Sequence, residues 1–426
     1  MGAGEALAHR VERAGADVAE DNAESREDQD AETRTPVGRH TRIVQSLCLR
    51  IAVFAPYDLA RPGGVATHIR AQARALRARG HQIQVFGPAS AALRDGEQAI
   101  SAAVSITVGG TESGLGINPL AARAVRALLQ REPFDIVHVH EPLTPIVPWF
   151  AVQAARSPVV ATFHVHREGG HRLYRWSRPL LAPLMARIAR RIAVSESARE
   201  TVAAHFPGAY DVVPNGVDVD TLRQPRRPPA VIGEGRRHVV YVGRLEPRKG
   251  VGHLVEAMAR LRERRLDAQL IVVGDGPARP LLESAARDRG LDAVFVGHVD
   301  DDALPGYFQS ADVVCSPALG GESFGIVLLE ALACEKPIVA TRIDGYAALV
   351  GSSGCGRLVP PGDSAALAAA LDQLLSDDVE RRRCGARGLE VARGYDWTVI
   401  ARRLEAIYEE TRDSRSDRVR RGTTRY

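Results

Sequence analysis

The chain has 426 residues, 45% hydrophobic and 25% charged, with a formal net charge of +4; that length exceeds one ordinary core and suits two globular domains, while a small, scattered basic excess excludes a nucleic-acid-binding face. Five cysteines (Cys48, Cys315, Cys334, Cys355, Cys384) are an odd set without metal-ligand spacing, which argues against a disulfide framework and fits reduced thiols in a cytoplasmic setting. No apolar run of about 18 residues and no basic-then-apolar leader occurs, so neither a spanning helix nor a secretory signal is expected.

Residues 1–47 are rich in Ala, Glu, Asp, Arg and Gly and poor in large apolar side chains, the composition of a disordered extension. At Leu49 the character changes. LRIAVFAPY reads as a buried strand, and RPGGVATHIRAQARALRARGH as a glycine turn leading into an amphipathic helix, with Val65, Ile69, Ala73 and Leu76 on one stripe and Gly80 at its end. Strand patterns recur at QIQVFGP, SITVG (105–109), DIVHVHEP, PVVATFH, RIAVS and YDVVP (210–214), most of them separated by helical patterns. This alternation predicts a doubly wound parallel α/β domain over 48–215. In such a sheet ligands sit at the carboxyl ends of strands, where Gly63, Gly64, His140, Glu141, His164 and Ser195 fall. His138, inside its strand, reads as structural.

A stretch broken by Pro, Gly and Arg over 216–235 reads as a linker. A second alternating series over 236–394 (HVVYVGRL, QLIVVGDG, AVFVGHV, ADVVCSP, KPIVATRIDG) predicts a second doubly wound domain. A last amphipathic helix is expected over 395–410, with Trp397, Ile400, Leu404 and Ile407 on one face, and a loose basic tail over 411–426.

GGESFGIVLLE (320–330) carries the strongest chemical signal. Its glycines run into an apolar helix expected to start near Ser323, with Glu322 at the mouth and Glu330 farther along. A helix mouth offers free N–H groups to an anion, and a carboxylate beside it can accept from hydroxyls, a pairing that suits a sugar nucleotide; a capped core helix is the alternative. Arg244 and Lys249 in GRLEPRKG follow a strand and could grip a diphosphate, one as a bidentate fork and one as a compact charge, or could sit on a solvated turn. Gly274 in VVGDGP, and Gly63 with Gly64, allow close backbone approach or simply a turn. His164 closes a strand, with Arg167 and His171 in the loop beyond. DVD at 218–220 and DDD at 300–302 invite a metal, yet the first lies in the expected linker and the second precedes a short helix it can cap. The 171–191 segment, with Tyr174, Trp176, Leu180 and many arginines, could touch an anionic membrane surface, although Pro179 and Pro183 interrupt it.

Taken in order, PGGVATH, HVHEP, ATFH, IAVSESAR, PNGVD, GRLEPRKG, VVGDGP and GGESFGIVLLEA resemble glycosyltransferase family 4, retaining enzymes of the GT-B fold, over about residues 49–410. PGGV followed by His68, HVHEP, GGESFGIVLLEA and YDW (395–397) carry a narrower likeness to the GDP-mannose-dependent phosphatidylinositol mannosyltransferases. The resemblance implies an N-terminal acceptor domain, a C-terminal nucleotide-sugar donor domain and a final helix crossing back. It implies that Gly64, beside Gly63, contacts the donor diphosphate, His164 the transferred sugar, Arg244 and Lys249 the diphosphate, and Glu322 the sugar hydroxyls. Phe324 and Gly325, flanked by Ser323 and Ile326, would offer backbone N–H groups, and Glu330 would hold the ribose.

It further implies a hexosyltransferase acting as a monomer without an obligatory metal, on a lipid or polyol acceptor, with peripheral contact at the inner face of the membrane. Three features depart from the mannosyltransferases. Ala66 stands where they carry an inositol-contacting glutamine, one residue fewer separates Arg244 from Lys249, and the surroundings of Arg123, Arg126 and Arg131 are less basic than their lipid-docking helix. Another donor and acceptor within the family, a GT-B sugar-nucleotide epimerase, and a non-catalytic nucleotide-sugar binder are the other readings.

Overall fold

The computed structural model describes residues 48–61, 63–108, 111–115, 120–166, 172–233 and 235–422, all within one compact unit, Leu47–Tyr426. The extension over 1–47, and Arg167 and His171, lie outside the described residues.

Short runs of β-branched residues form the first sheet. Its strands are β1 (Arg50–Phe54), β2 (Gln82–Ala89) and β3 (Glu97–Ala102), then, after the pair β4 (Val104–Val108) and β5 (Thr111–Leu115), β6 (Ile136–His140), β7 (Val159–Phe163), β8 (Ile188–Ala193) and β9 (Asp211–Val212). Seven of them form a parallel sheet in the order β3-β2-β1-β6-β7-β8-β9. Ile51 and Val53 face one core with the helix Gly64–Ala78, while Ala52 and Phe54 face another with the helices Leu120–Arg131 and Val147–Ala154. That is the period-2 alternation of a strand covered on both faces. SITVG, expected among the parallel strands, lies apart: β4 pairs antiparallel with β5 in a two-stranded sheet. A single apolar run carries no sign of which strand it will pair with.

The second sheet is built from β10 (Arg237–Val242), β11 (Ala268–Val273), β12 (Ala293–Gly297), β13 (Val313–Ser316), β14 (Ile338–Thr341) and β15 (Gly356–Val359), all parallel in the order β12-β11-β10-β13-β14-β15. In each sheet the strand order reverses once, between β1 and β6 and between β10 and β13. At such a switch point neighbouring loops leave in opposite directions and open a crevice at the carboxyl ends. Gly63 and Gly64 follow β1, His140 and Glu141 end β6, Arg244 and Lys249 follow β10, and Gly320–Gly325 follow β13. Both crevices therefore carry the candidate motifs.

Three features after the first sheet in the chain differ from the sequence reading. The 216–235 stretch contains a short helix, Val219–Arg223, capped by Asp218, whose carboxylate accepts from Thr221 N at 3.0 Å. A helix at Asp378–Gly394, which contains Gly385 and Gly388, was not expected. The two glycines are there for contact. A Cβ at Gly385 would lie 2.2 Å from the Glu335 carbonyl, and one at Gly388 would lie 2.6 Å from the Leu332 side chain, so glycine lets this helix press against the helix Ile326–Ala333. The last helix runs Trp397–Gly422, continuing through most of the segment expected to be a loose tail from Thr411. Its Trp397, Ile400, Leu404, Ile407 and Tyr408 pack with Ile51, Val53, Ile69 and Leu76 of the first sheet's layer. Val217 and Asp396 form a parallel bridge where the chain passes between the two sheets, and a Cβ at Gly216 would meet the Trp397 ring at 2.6 Å.

Candidate functional site

After β10 the chain turns through a 3-10 segment, Pro247–Lys249, which carries its charges on one short arc. Glu246 is buried and forms ion pairs with Arg244 Nη2 and Arg248 Nε, each at 3.0 Å. Arg248 Nη1 lies 2.5 Å and Lys249 Nζ 2.8 Å from the same oxygen, Oε1 of Glu322. Three cations and two carboxylates thus interleave, tying the β10 loop to the β13 loop. Gly250 holds the turn at φ 68°, and a Cβ there would lie 2.0 Å from the Pro317 carbonyl, so only glycine lets the two loops meet. Gly274 is fixed in the same way, at φ 129° with the Gly243 carbonyl 2.0 Å from a would-be Cβ. The structure therefore assigns Gly274 a loop-packing reason.

The β13 loop corrects one expectation. The helix starts at Ile326, not near Ser323, with Gly325 left-handed at its N-cap (φ 87°, ψ 53°) and no side-chain cap. Glu322 lies ahead of it in the loop, held by cations, so the capped-core reading of this carboxylate does not hold. The amides at the helix mouth are left without a capping side chain. Phe324 is buried and packs edge-on against Tyr395, with centroids 5.6 Å apart. Glu330 sits one turn into the helix, partly buried, and burial raises its carboxyl from 4.5 to about 8, with Asp301 adding to the rise. Its carboxyl has no hydrogen-bond or ion-pair partner among the described residues.

The first sheet's crevice is different in kind. His140 Nδ1 and His164 Nε2 are 2.9 Å apart. His68, from the helix Gly64–Ala78, meets the His164 ring edge-on at 4.9 Å and Trp397 at 5.2 Å. His138 stacks on His140 at 4.4 Å and is tied to Thr162 Oγ1 and Tyr408 OH, each at 2.7 Å, the structural role expected of it. Burial keeps all four rings neutral: it lowers His68 to about 4 and His138 to about 3, and His140 and His164 well below 6.5. Glu141, left-handed at φ 48°, accepts from the backbone N–H groups of His164 and of Val165, the latter at 2.9 Å. Burial nonetheless raises its carboxyl to about 7, against those two bonds.

One nitrogen each from His68, His140 and His164 lies within 4.8 Å of the others, the one described set that could gather around a cation. Two of these rings already engage each other through a hydrogen bond.

Gly63 and Gly64 open the helix Gly64–Ala78 without a side-chain cap, Gly63 in extended backbone. A Cβ on either would meet nothing within 4 Å. Neither conformation nor packing demands glycine there, which leaves space against the backbone.

The structure therefore brings Arg244, Lys249 and Glu322 into one ionic group and His164 into a separate imidazole group. Ser197 Oγ, in the helix after β8, donates to the Ser323 carbonyl at 3.2 Å, and the Ser197 carbonyl lies 3.2 Å from His166 Nδ1. That short path links the β13 loop to the strand end carrying His164. Ser195 caps its helix by accepting from Ala198 N. Arg248 and Glu246 were missed as site residues; the alternating charges of LEPRKG were the available signal. The pairing of His140 with His164 had none, because it depends on β6 and β7 being neighbours.

Two family models cover the chain in succession, Glycosyltransferase Family 4 over residues 62–221 and Glycosyl transferases group 1 over 223–391. The phosphatidyl-myo-inositol mannosyltransferase of Mycobacterium leprae is 39% identical over 375 residues, 86% of this chain and 98% of that one. A D-inositol 3-phosphate glycosyltransferase of Jonesia denitrificans is 28% identical, over 87% and 96%. Among solved structures, Anabaena HepE in complex with UDP superposes with a TM-score of 0.68 at 21% identity, over 85% of this chain and all of that one. Two parallel sheets of this topology, both family models in tandem and this degree of identity to a mannosyltransferase have one meaning: the chain is a glycosyltransferase of the GT-B fold and belongs to glycosyltransferase family 4.

Proposed function

We propose that the enzyme transfers mannose from GDP-mannose to an inositol hydroxyl of phosphatidylinositol, with retention at the anomeric carbon. The ionic group around Glu322 carries this reading. Arg248 and Lys249 both sit on Glu322 Oε1, so an arriving diphosphate can take over cations that a carboxylate now neutralises. Glu322 is then released toward the sugar hydroxyls. Lys249 and Arg244, with the N–H groups of Phe324, Gly325 and Ile326 beyond Ser323, stabilise the departing diphosphate. The protein supplies these cations itself, so no metal enters the reading.

His164 contacts the sugar, Glu330 accepts from the ribose hydroxyls, and the open backbone at Gly63 and Gly64 receives the diphosphate from the first domain. The acceptor hydroxyl attacks from the face the diphosphate leaves, and a phosphate oxygen takes its proton. Closure of the two domains excludes water. An exposed pair, Trp176 at 82% and Leu180 at 67%, lies one turn apart on the helix Arg172–Ala186 and supports peripheral contact with a membrane. No described helix is long and apolar enough to cross one.

A second acceptor, a soluble inositol phosphate, is favoured by the likeness to a D-inositol 3-phosphate glycosyltransferase; Ala66, buried and without a polar group, does not supply the inositol contact that the mannosyltransferase resemblance places there. One experiment separates the two. The purified protein is incubated with GDP-, UDP- or ADP-sugars and with phosphatidylinositol or inositol phosphate, and products are identified by mass and anomeric configuration. Mannosyl phosphatidylinositol formed from GDP-mannose alone is expected. Transfer from another nucleotide, or only to the soluble acceptor, replaces the corresponding half of the reading.

A further inference from the structure

His140 and His164 form a neutral pair, so one ring must donate and the other accept. Which one donates follows from the rest of His140. Its Nε2 is fully buried without a hydrogen-bond partner. If His140 Nδ1 were the acceptor, Nε2 would carry the proton and the structure would hold a buried N–H with nothing to bond. If His140 Nδ1 carries the proton, Nε2 is only a bare lone pair. Orphaned buried N–H groups are rarer than under-used acceptors, so the proton belongs on Nδ1 and is donated to His164 Nε2 at 2.9 Å.

A neutral imidazole has one proton, and His164, accepting at Nε2, must carry its own on Nδ1. That nitrogen has no hydrogen-bond partner among the described residues and is not among the fully buried unpartnered atoms, so it keeps access to the outside of the cluster. We infer that His140 is a positioning residue that locks His164 in the Nδ1–H tautomer, presenting a hydrogen-bond donor to an oxygen of the transferred sugar.

The surroundings hold this arrangement in register. The His140 ring is clamped against His138, itself fixed by Thr162 and by Tyr408 of the last helix. The His164 backbone is pinned by Glu141. His164 is therefore not a general base: its one basic nitrogen is occupied by His140, and what it shows the ligand is an N–H. The sugar as recipient rests on the function proposed above, whereas the tautomer does not.

The test is the 15N spectrum of the full chain labelled at histidine, with His164 assigned by the loss of its signals in His164→Gln. A pyrrole-type Nδ1 and a pyridine-type Nε2 are expected; the reverse assignment overturns the inference. In His140→Leu the His164 signals should shift toward a mixture of tautomers, and unchanged signals would show that His140 does not set them. His140→Asn, whose amide can place a donor near the position of Nδ1, should restore the parent pattern.

Binding then separates the tautomer from its use. His140→Leu should weaken GDP-mannose binding about 3- to 10-fold while GDP alone binds as in the parent, the cost of drawing one tautomer of His164 from a mixture. His140→Asn should stay within about twofold of the parent. Equal weakening of GDP and GDP-mannose overturns the positioning role. If the parent spectrum is as expected but GDP-mannose does not bind, the donor assignment fails and the tautomer stands.

Discussion

The two crevices lie at equivalent places, each at a sheet's switch point, yet have opposite electrostatics. At the second sheet, charges sit at a partly exposed surface and are balanced pairwise: Arg244 and Arg248 on Glu246, Arg248 and Lys249 on Glu322. At the first, four imidazoles are so thoroughly desolvated that none carries charge. A group of balanced charges can exchange one anion for another at modest cost, since the cations are never left bare. A neutral cluster cannot attract an anion, but it can orient hydrogen bonds in a dry setting where they are strong. On the function proposed above, the second sheet's cations neutralise the diphosphate, and the first sheet's imidazoles add oriented hydrogen bonds to the sugar.

The comparison can be broken at its charged end first. Lys249→Ala removes one of two cations on Glu322 and should lower kcat/KM by about 100- to 1000-fold, the usual scale for losing a group that stabilises a departing anion, with a smaller dependence on salt than the parent shows. Steady-state kinetics at two ionic strengths measure both; turnover within a few-fold of the parent would remove this loop from the chemistry.

The neutral end is sharpened by acid. The folded pKa of His68, about 4, lies below its ordinary 6.5, so the unfolded chain binds the proton more readily. The stability contributed by the neutral ring is complete above about pH 6.5 and is lost as pH falls toward 4, on the order of 3 kcal/mol. Denaturant unfolding between pH 7 and 4 should show this fall together with that of His138, His140 and His164, and His68→Phe should make it shallower by His68's share.

Glu330 tests the boundary between the two styles. Its carboxyl titrates at about 8 in the free protein, and ribose hydroxyls donate best to the ionised form. Donor affinity should therefore hold above about pH 8 and weaken about tenfold per unit below it, while Glu330→Gln binds weakly and without that slope. Calorimetric titration of the donor from pH 6 to 9 decides it; a flat parent profile would take Glu330 out of the ribose site.

The smallest expected effect is on stability. Gly63→Ala introduces a Cβ with nothing within 4 Å in extended backbone, and should change unfolding free energy by less than about 0.5 kcal/mol while weakening donor binding. Gly250→Ala should cost about 1–3 kcal/mol or more, since its φ of 68° and the Pro317 carbonyl both oppose a side chain. If both glycines proved equally costly to stability, the space at Gly63 would not be a ligand's.

Local signals determined a good deal. Alternating strand and helix patterns are enough to name two doubly wound layers, because burial on both faces leaves a strand continuously apolar and a covering helix striped. Turn glycines followed by charge marked Arg244, Lys249 and Glu322 as candidates, and the structure brings the three into one ionic group. The reading failed where contact decided the matter. The helix Asp378–Gly394 was not expected, and its Gly385 and Gly388 are explained only by the helix packed against them; SITVG could not announce an antiparallel partner.

Glu322 could not be moved out of its expected helix cap until Arg248 and Lys249 were seen on it. The imidazole group is the extreme case. Its members come from the helix Gly64–Ala78, β6 and the end of β7, and their tautomers depend on which nitrogen finds a partner. Residue types and periodicity determine which elements form and which faces they bury; which polar atoms are left paired, neutral or exposed is decided only by the packing that brings distant strands together, because hydrogen bonding and desolvation act over a few ångströms in space and are blind to distance along the chain.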